Sequence, residues 1–228
     1  MKHSIKRSLG IMLVGAALVA VPVASAVAQD SGFMKDYSKL KMVKDSKGVE
    51  RRIWISEKLT RENYKAVLLE PVTFYPKEQP NEQVSLGALN DIRAYIDAGV
   101  REVITKTLPT GPAAGPGVVR TRVALTAASV NKDLKPYQLI PVAFIFTMAK
   151  RSAGDSEYPV KLYVEAEMTD SVTGEVLAQT VREAQGIQVK GNEQVTLAMA
   201  RPYIDRWKDA ANVEIVRRFG PTEKPAAK

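Results

Sequence analysis

Apolar and polar residues alternate along the chain with periods that indicate individual helices and strands. Residues 52–55 have the pattern of a short strand, and residues 64–75 that of a longer strand with apolar side chains on both faces. Residues 85–108 carry apolar side chains at three- and four-residue spacing. This spacing predicts a long amphipathic helix, with Ser85 as its cap.

A β-hairpin is the most clearly marked feature of the second half. Residues 159–169 alternate between apolar and polar side chains, and residues 176–183 return in the same way. In the turn between them, Asp170 is suited to accept backbone N–H bonds and Gly174 to take a positive φ. The sequence therefore predicts two antiparallel strands joined by a tight turn.

Three further segments complete the pattern. Residues 118–131 predict another strand, and residues 193–219 a final helical region in which Pro202 predicts a kink or a restart. Residues 139–148 form a compact apolar run that is either buried core or an interface. The order of elements predicts an α+β fold, with two long helices packed on a twisted, mainly antiparallel sheet in a single domain.

The amino terminus has the pattern of a secretory signal peptide. Lysines and an arginine precede an apolar run, and small residues follow at the spacing that signal peptidase requires, with Ala26 and Ala28 at the cleavage positions. We expect residues 1–28 to be removed, which leaves no transmembrane helix and places the protein in the periplasm or outside the cell. The rest divides into an arm (29–50), one domain (51–219) and a disordered tail (220–228).

The composition excludes several kinds of chemistry. The chain has no cysteine and one histidine, His3, which lies in the predicted signal peptide. The mature protein would therefore lack Ser-His-Asp and Cys-His catalysis and metal sites built on these side chains. It would also lack the cysteine to which the lipid of a bacterial lipoprotein is attached. We expect no catalytic residue, no cofactor and no metal.

Charged residues suggest two candidate sites. Glu165 and Glu167 lie about 7 Å apart on one strand face, which we expect to be exposed to solvent with partners such as Arg182, although such a pair also occurs in glycan hydrolases. Arg120 and Arg122, together with two further arginines at 51 and 52, are a candidate anion-binding strip. Aromatic residues make up only 7% of the chain, so nucleic-acid binding is not supported.

Aromatic residues mark two candidate interaction sites. Phe33 and Tyr37 lie in the arm, where we expect them to pack on the domain together with Leu40. Phe144 and Phe146 lie in the apolar run. Either pair is suited to contact another component of the cell envelope.

Several segments resemble a family of exported bacterial proteins known as domain of unknown function 3313. The resemblance is carried by Ser31-Gly32-Phe33…Asp36-Tyr37-Ser38…Leu40, by Glu70-Pro71-Val72 and by the turn Asp170-x-x-Thr173-Gly174-Glu175. It implies an envelope protein that is similar to lipoproteins, and it implies no catalytic residue.

These observations favour a non-enzymatic binding or scaffolding domain of the cell envelope, whose partner is another envelope component. Peripheral contact with a membrane stays open. Two alternatives remain: a carboxylate-based glycan hydrolase, and a binder of anionic lipid or glycan.

Overall fold

The structure of the protein, a computed structural model, describes residues 30–44, 50–77, 84–126, 157–190 and 193–220. The predicted signal peptide, the apolar run with Phe144 and Phe146, and residues 221–228 of the predicted tail lie outside this description. Within the described ranges the chain forms a mixed sheet and two long helices. The strands are β1 (Lys41–Lys44), β2 (Glu50–Ile55), β3 (Ala66–Leu69), β4 (Thr73–Tyr75), β5 (Val118–Thr126), β6 (Glu157–Asp170) and β7 (Val176–Lys190), and the helices are α1 (Leu86–Thr105) and α2 (Leu197–Phe219).

The strands are arranged in the order β1-β2-β7-β6-β5-β3, and β4 pairs with β5 beyond the end of β3. Neighbours from β1 to β5 are antiparallel, whereas β3 and β4 run parallel to β5. The parallel pairing follows from the connection through α1, since a crossover helix returns the chain in its original direction. The predicted α+β fold is confirmed.

The edge next to β5 differs from the prediction. The sequence pattern predicted one strand over 64–75, whereas the structure has β3 and β4 with a break around Pro71. Proline has no N–H to donate to a sheet ladder. The N–H of Val72 donates instead to Oδ1 of Asp97 on α1, at 2.9 Å, so the break ties the sheet edge to the helix.

Both helices begin near the positions that the sequence indicates. Ser85 caps α1, and its Oγ accepts the N–H of Ala88 at 3.1 Å. Helix α2 runs through Pro202 as one element, so of the two predicted effects of this proline, a kink or a restart, the restart does not occur. Pro202 is the sixth residue of the helix, so its missing N–H removes the backbone bond to the carbonyl of Ala198. Neither helix within the described ranges is long and apolar enough to cross a bilayer.

The helices cover one face of the sheet and bury its apolar side chains. Leu89, Ile92 and Ile96 of α1 pack with Ile204 of α2 against strands β5 and β6. The opposite face of the sheet carries a smaller apolar cluster, in which Met34 packs with Tyr163 and Val181. The candidate site lies on that opposite face.

Candidate functional site

The arm segment, residues 30–40, lies across the sheet face that the helices leave uncovered. Local polar contacts fold it into turns. Ser31 Oγ accepts the N–H of Phe33 at 3.1 Å, and Asp36 Oδ1 accepts the N–H of Ser38 at 2.8 Å. Between these residues Gly32 has a φ of 87°, a conformation that side chains with a Cβ rarely take.

Apolar contacts hold the arm segment on the sheet. Met34 is 2% exposed and forms a cluster with Tyr163 and Val181, against which Phe33, Tyr37 and Leu40 pack. The ring of Phe33 also lies edge-on to Tyr75, with centroids 5.9 Å apart. The beginning of the described chain is therefore part of the core on this face.

A buried hydrogen-bond network lies at the centre of the covered face. Tyr37 donates its phenol O–H to Oε2 of Glu165 at 2.6 Å, and Thr126 donates to Oε1 at 2.9 Å. The same phenol oxygen lies 3.0 Å from Ser31 Oγ and accepts the N–H of Met34 at 3.1 Å. Glu165 thus joins the arm segment to two strands of the sheet.

Glu167 forms a second connection beside the first. Arg122 donates to its Oε1 at 2.5 Å, and Gln179 donates to its Oε2 at 3.1 Å. The Gln179 amide also donates to the backbone carbonyl of Asp36 at 2.9 Å. Arg122 lies over the ring of Phe33 as well, at 4.9 Å from its centre. Both glutamates therefore serve the attachment of the arm segment.

The prediction that Glu165 and Glu167 face solvent is wrong. Glu165 is 2% exposed and Glu167 6%, because the arm segment covers the polar face of β6. Burial raises the pKa of the Glu165 carboxyl, against the hydrogen bonds from Tyr37, Ser31 and Thr126 that lower it. Burial and the Glu165 charge also raise the pKa of the Tyr37 phenol.

The arginines of the candidate anion strip lie on two different faces of the sheet. Arg120 pairs with Glu70 and Arg122 with Glu167, both on the arm side. Arg52 also lies on this side and donates to Asp30 at 2.7 Å. Arg51 lies on the helix side, where Glu214 of α2 is its partner at 3.4 Å. Arg120, Arg122 and Arg52 therefore share the arm side, and the sheet separates only Arg51 from them.

The hairpin turn has the predicted geometry. Asp170 Oδ1 accepts the N–H groups of Val172 and Thr173, and Gly174 has a φ of 74°. The other oxygen of Asp170 accepts the O–H of Tyr64 at 3.0 Å. The Asp170 carboxylate is therefore used in holding the turn. In the described part of the chain, no three acidic, histidine or cysteine side chains are grouped as a metal site would require.

Sequence reasoning missed three polar residues of the network. Ser31, Thr126 and Gln179 are ordinary polar residues in the sequence, and no spacing rule connects them. A signal was nevertheless present for Thr126 and Gln179. Thr126 lies on the same face of β5 as Arg122, and Gln179 of β7 pairs directly with Glu167 of the neighbouring strand β6.

A curated relative and two solved structures share similarity with the chain. The "Uncharacterized lipoprotein YdcL" of Escherichia coli (strain K12) is 28% identical over 169 residues, which cover 74% of this chain and 76% of the relative. A PelC dodecamer from Paraburkholderia phytofirmans has a TM-score of 0.35 at 9% identity, covering 76% of this chain and 98% of that one. A putative neuraminyllactose-binding hemagglutinin homolog from Helicobacter pylori has a TM-score of 0.31 at 11% identity, covering 72% and 86%. These two TM-scores are too low to support any conclusion.

The family model described as "Protein of unknown function (DUF3313)" matches residues 29–211, a range that includes the arm segment, every strand and most of α2. The chain belongs to this DUF3313 family.

Proposed function

We propose that the protein is a non-enzymatic binding domain of the bacterial cell envelope. The observation that carries this proposal is that Glu165 and Glu167 are both buried and hydrogen bonded. A glycan hydrolase needs its two carboxylates accessible on either side of a bound sugar. Here both lie beneath the arm segment and accept hydrogen bonds from it or from the sheet.

The localisation part of the proposal rests on two observations. The first 28 residues have the signal-peptide pattern, and the curated relative is named a lipoprotein. Since the chain contains no cysteine, we propose that it acts in the periplasm without a thioether-linked lipid of its own. Metabolic labelling with palmitate tests this point: incorporation into the protein would contradict it.

The absence of hydrolysis is tested directly with purified envelope polysaccharides. The wild type and the Glu165→Gln variant are incubated with peptidoglycan, and mass spectrometry measures the released fragments. We expect no release by either protein. Release by the wild type that is lost in the variant would overturn the proposal in favour of the hydrolase.

Binding is tested in the cell by site-specific photo-crosslinking. The crosslinking residue replaces Val213 on α2 or Met42 on β1, which are 68% and 55% exposed. Val172, in the hairpin turn and 62% exposed, is the matched control position. We expect an adduct of defined mass from the first or second position and none from the control. If neither Val213 nor Met42 gives a crosslinked adduct, this would count against a stable envelope partner on these surfaces.

A further inference from the structure

An apolar cavity of about 170 Å³ lies between the helix pair and the sheet, on the face opposite the arm segment. The cavity exists because small residues face each other across the space between the sheet and the helices. These residues are Thr121, Ala166 and Ala178 on the sheet and Gly99 and Ala211 on the helices. Protein interiors are usually filled to crystal density, so a space of this size between packed layers is uncommon.

The size and lining of the cavity suit a hydrocarbon. A cavity of about 150 Å³ with an aliphatic and aromatic lining stays dry and binds benzene. The present cavity is lined by side chains such as Ile53, Val103 and Trp207, and it is partly open to solvent. By that comparison it accommodates about six to eight carbons of an acyl chain.

The polar residues beside the cavity carry an excess of positive charge. Glu214 lines the cavity and is the carboxylate partner of three arginines, Arg51, Arg217 and Arg218. Burial alone would raise the pKa of Glu214, but the hydrogen bond from Arg217 and the neighbouring arginine charges hold it below its ordinary value. One ionised carboxylate therefore faces three cations.

One further observation indicates that this cluster suits an added anion. The buried Nε of Arg51 has no hydrogen-bond acceptor among the described residues. The Nε of Arg218 lies 3.5 Å from Oε1 of Glu214, so Arg218 and Arg51 converge on the same carboxylate beside the cavity.

We propose that this cavity binds the acyl chain of an anionic lipid, with the chain among the apolar side chains and the negatively charged head group at Arg51 and Arg218. The inference rests on the proposed function and extends it, since it names the class of envelope component that a non-enzymatic domain binds. The site is distinct from the arm face, on which Arg120 and Arg122 lie.

The two tryptophans allow a direct test in the full chain. Trp207 lines the cavity, whereas Trp54 lies on the arm face beneath Lys39. In the Trp54→Phe variant, tryptophan emission therefore reports on the cavity alone. Octanoate is the probe and octanol the neutral comparison. We expect octanoate to shift the emission to shorter wavelength with saturation, and the Trp207→Phe variant to show no change.

Variants with matched controls test the two parts of the site separately. Ala211→Leu fills the cavity and is expected to abolish the octanoate response, whereas Ala210→Leu, whose side chain does not line the cavity, keeps it. Arg218→Gln is expected to weaken octanoate binding about tenfold or more and to leave octanol unchanged. Arg217→Gln removes the same charge outside the lining and should weaken octanoate much less. Circular dichroism and thermal unfolding show that each variant is folded.

Three outcomes would overturn the inference. The first is a folded Trp54→Phe variant with no response to octanoate. The second is equal binding of octanol and octanoate, which would remove the anionic head group from the site. The third is Trp207 emission that is at short wavelength before any ligand is added and that octanoate does not shift. This result would show that another part of this chain fills the cavity. None of these results depends on the peptidoglycan assay or on crosslinking, so a failure here is distinguishable from a failure of the proposed function.

Discussion

Replacing Tyr37 with phenylalanine tests whether the arm segment is held by its contact with Glu165. The change removes one oxygen and leaves the ring in place. It deletes the 2.6 Å hydrogen bond to Glu165, the 3.0 Å contact with Ser31 and the acceptor for the N–H of Met34. Thr126 remains as a donor to Glu165 on the other carboxylate oxygen.

The magnitude follows from the charge of the acceptor. A hydrogen bond to a charged group contributes about 1.5–3 kcal/mol. Since each 1.4 kcal/mol corresponds to a factor of ten, we expect the open state of the arm segment to become about 10 to 150 times more populated. The remaining connections through Gln179 and Arg52 keep the closed state in the majority.

Amide hydrogen exchange measures this opening at a residue that the mutation does not touch. The N–H of Leu40 donates to the backbone carbonyl of Tyr37 at 3.1 Å, and this bond is retained in the variant. Its exchange should become faster by the factor above, because Tyr37 and Leu40 at the two ends of this turn pack on the sheet, and we expect the turn to lose its support when the arm segment opens. Amides in the helices should exchange at unchanged rates.

Tyr95→Phe is the matched control. The phenol of Tyr95 donates to Asp205 at 2.7 Å and links α1 to α2, so the same atom is lost from another tyrosine–carboxylate pair. This variant should leave exchange at Leu40 unchanged. If Tyr37→Phe also left it unchanged, Glu165 would not hold the arm segment, and the reasoning would be refuted.

Three further predictions concern stability. Glu165→Gln should flatten the dependence of the free energy of unfolding in urea on pH. Because the pKa of Glu165 is raised in the folded wild type, the folded state binds more protons than the unfolded chain, and stability falls as the pH rises above the ordinary glutamate value of 4.5. The same slope in the variant would contradict this. Gly174→Ala should destabilise the protein by about 1 kcal/mol, because a φ of 74° is strained for alanine, although no atom obstructs the added Cβ. An unchanged midpoint temperature of thermal unfolding would show that the turn relaxes. Ser85→Ala should cost about 1 kcal/mol through loss of the cap on Ala88, whereas Ser85→Thr should restore most of it.

Elements governed by local periodicity were predictable from the sequence. The hairpin turn follows from Asp170 and Gly174, because a carboxylate that accepts backbone N–H bonds and a residue with positive φ are requirements within a few residues. The start of α1 follows from Ser85 for the same reason. The break between β3 and β4 was only partly predictable, because it depends on Asp97 of α1 as well as on Pro71.

The sequence by itself determined the order of strands and helices, the α+β class and the apolar face of each element, because these depend on contacts between near neighbours. Only the tertiary structure decided what covers the polar face of β6. Alternation shows that Glu165 and Glu167 share a face, but whether this face meets water depends on where residues 30–40 lie, over 100 positions earlier in the chain. It also decided that Arg51 and Arg52 lie on opposite sides of the sheet, and that small residues from five different elements leave a cavity. Such features arise from packing between distant segments, which periodicity along the chain does not encode.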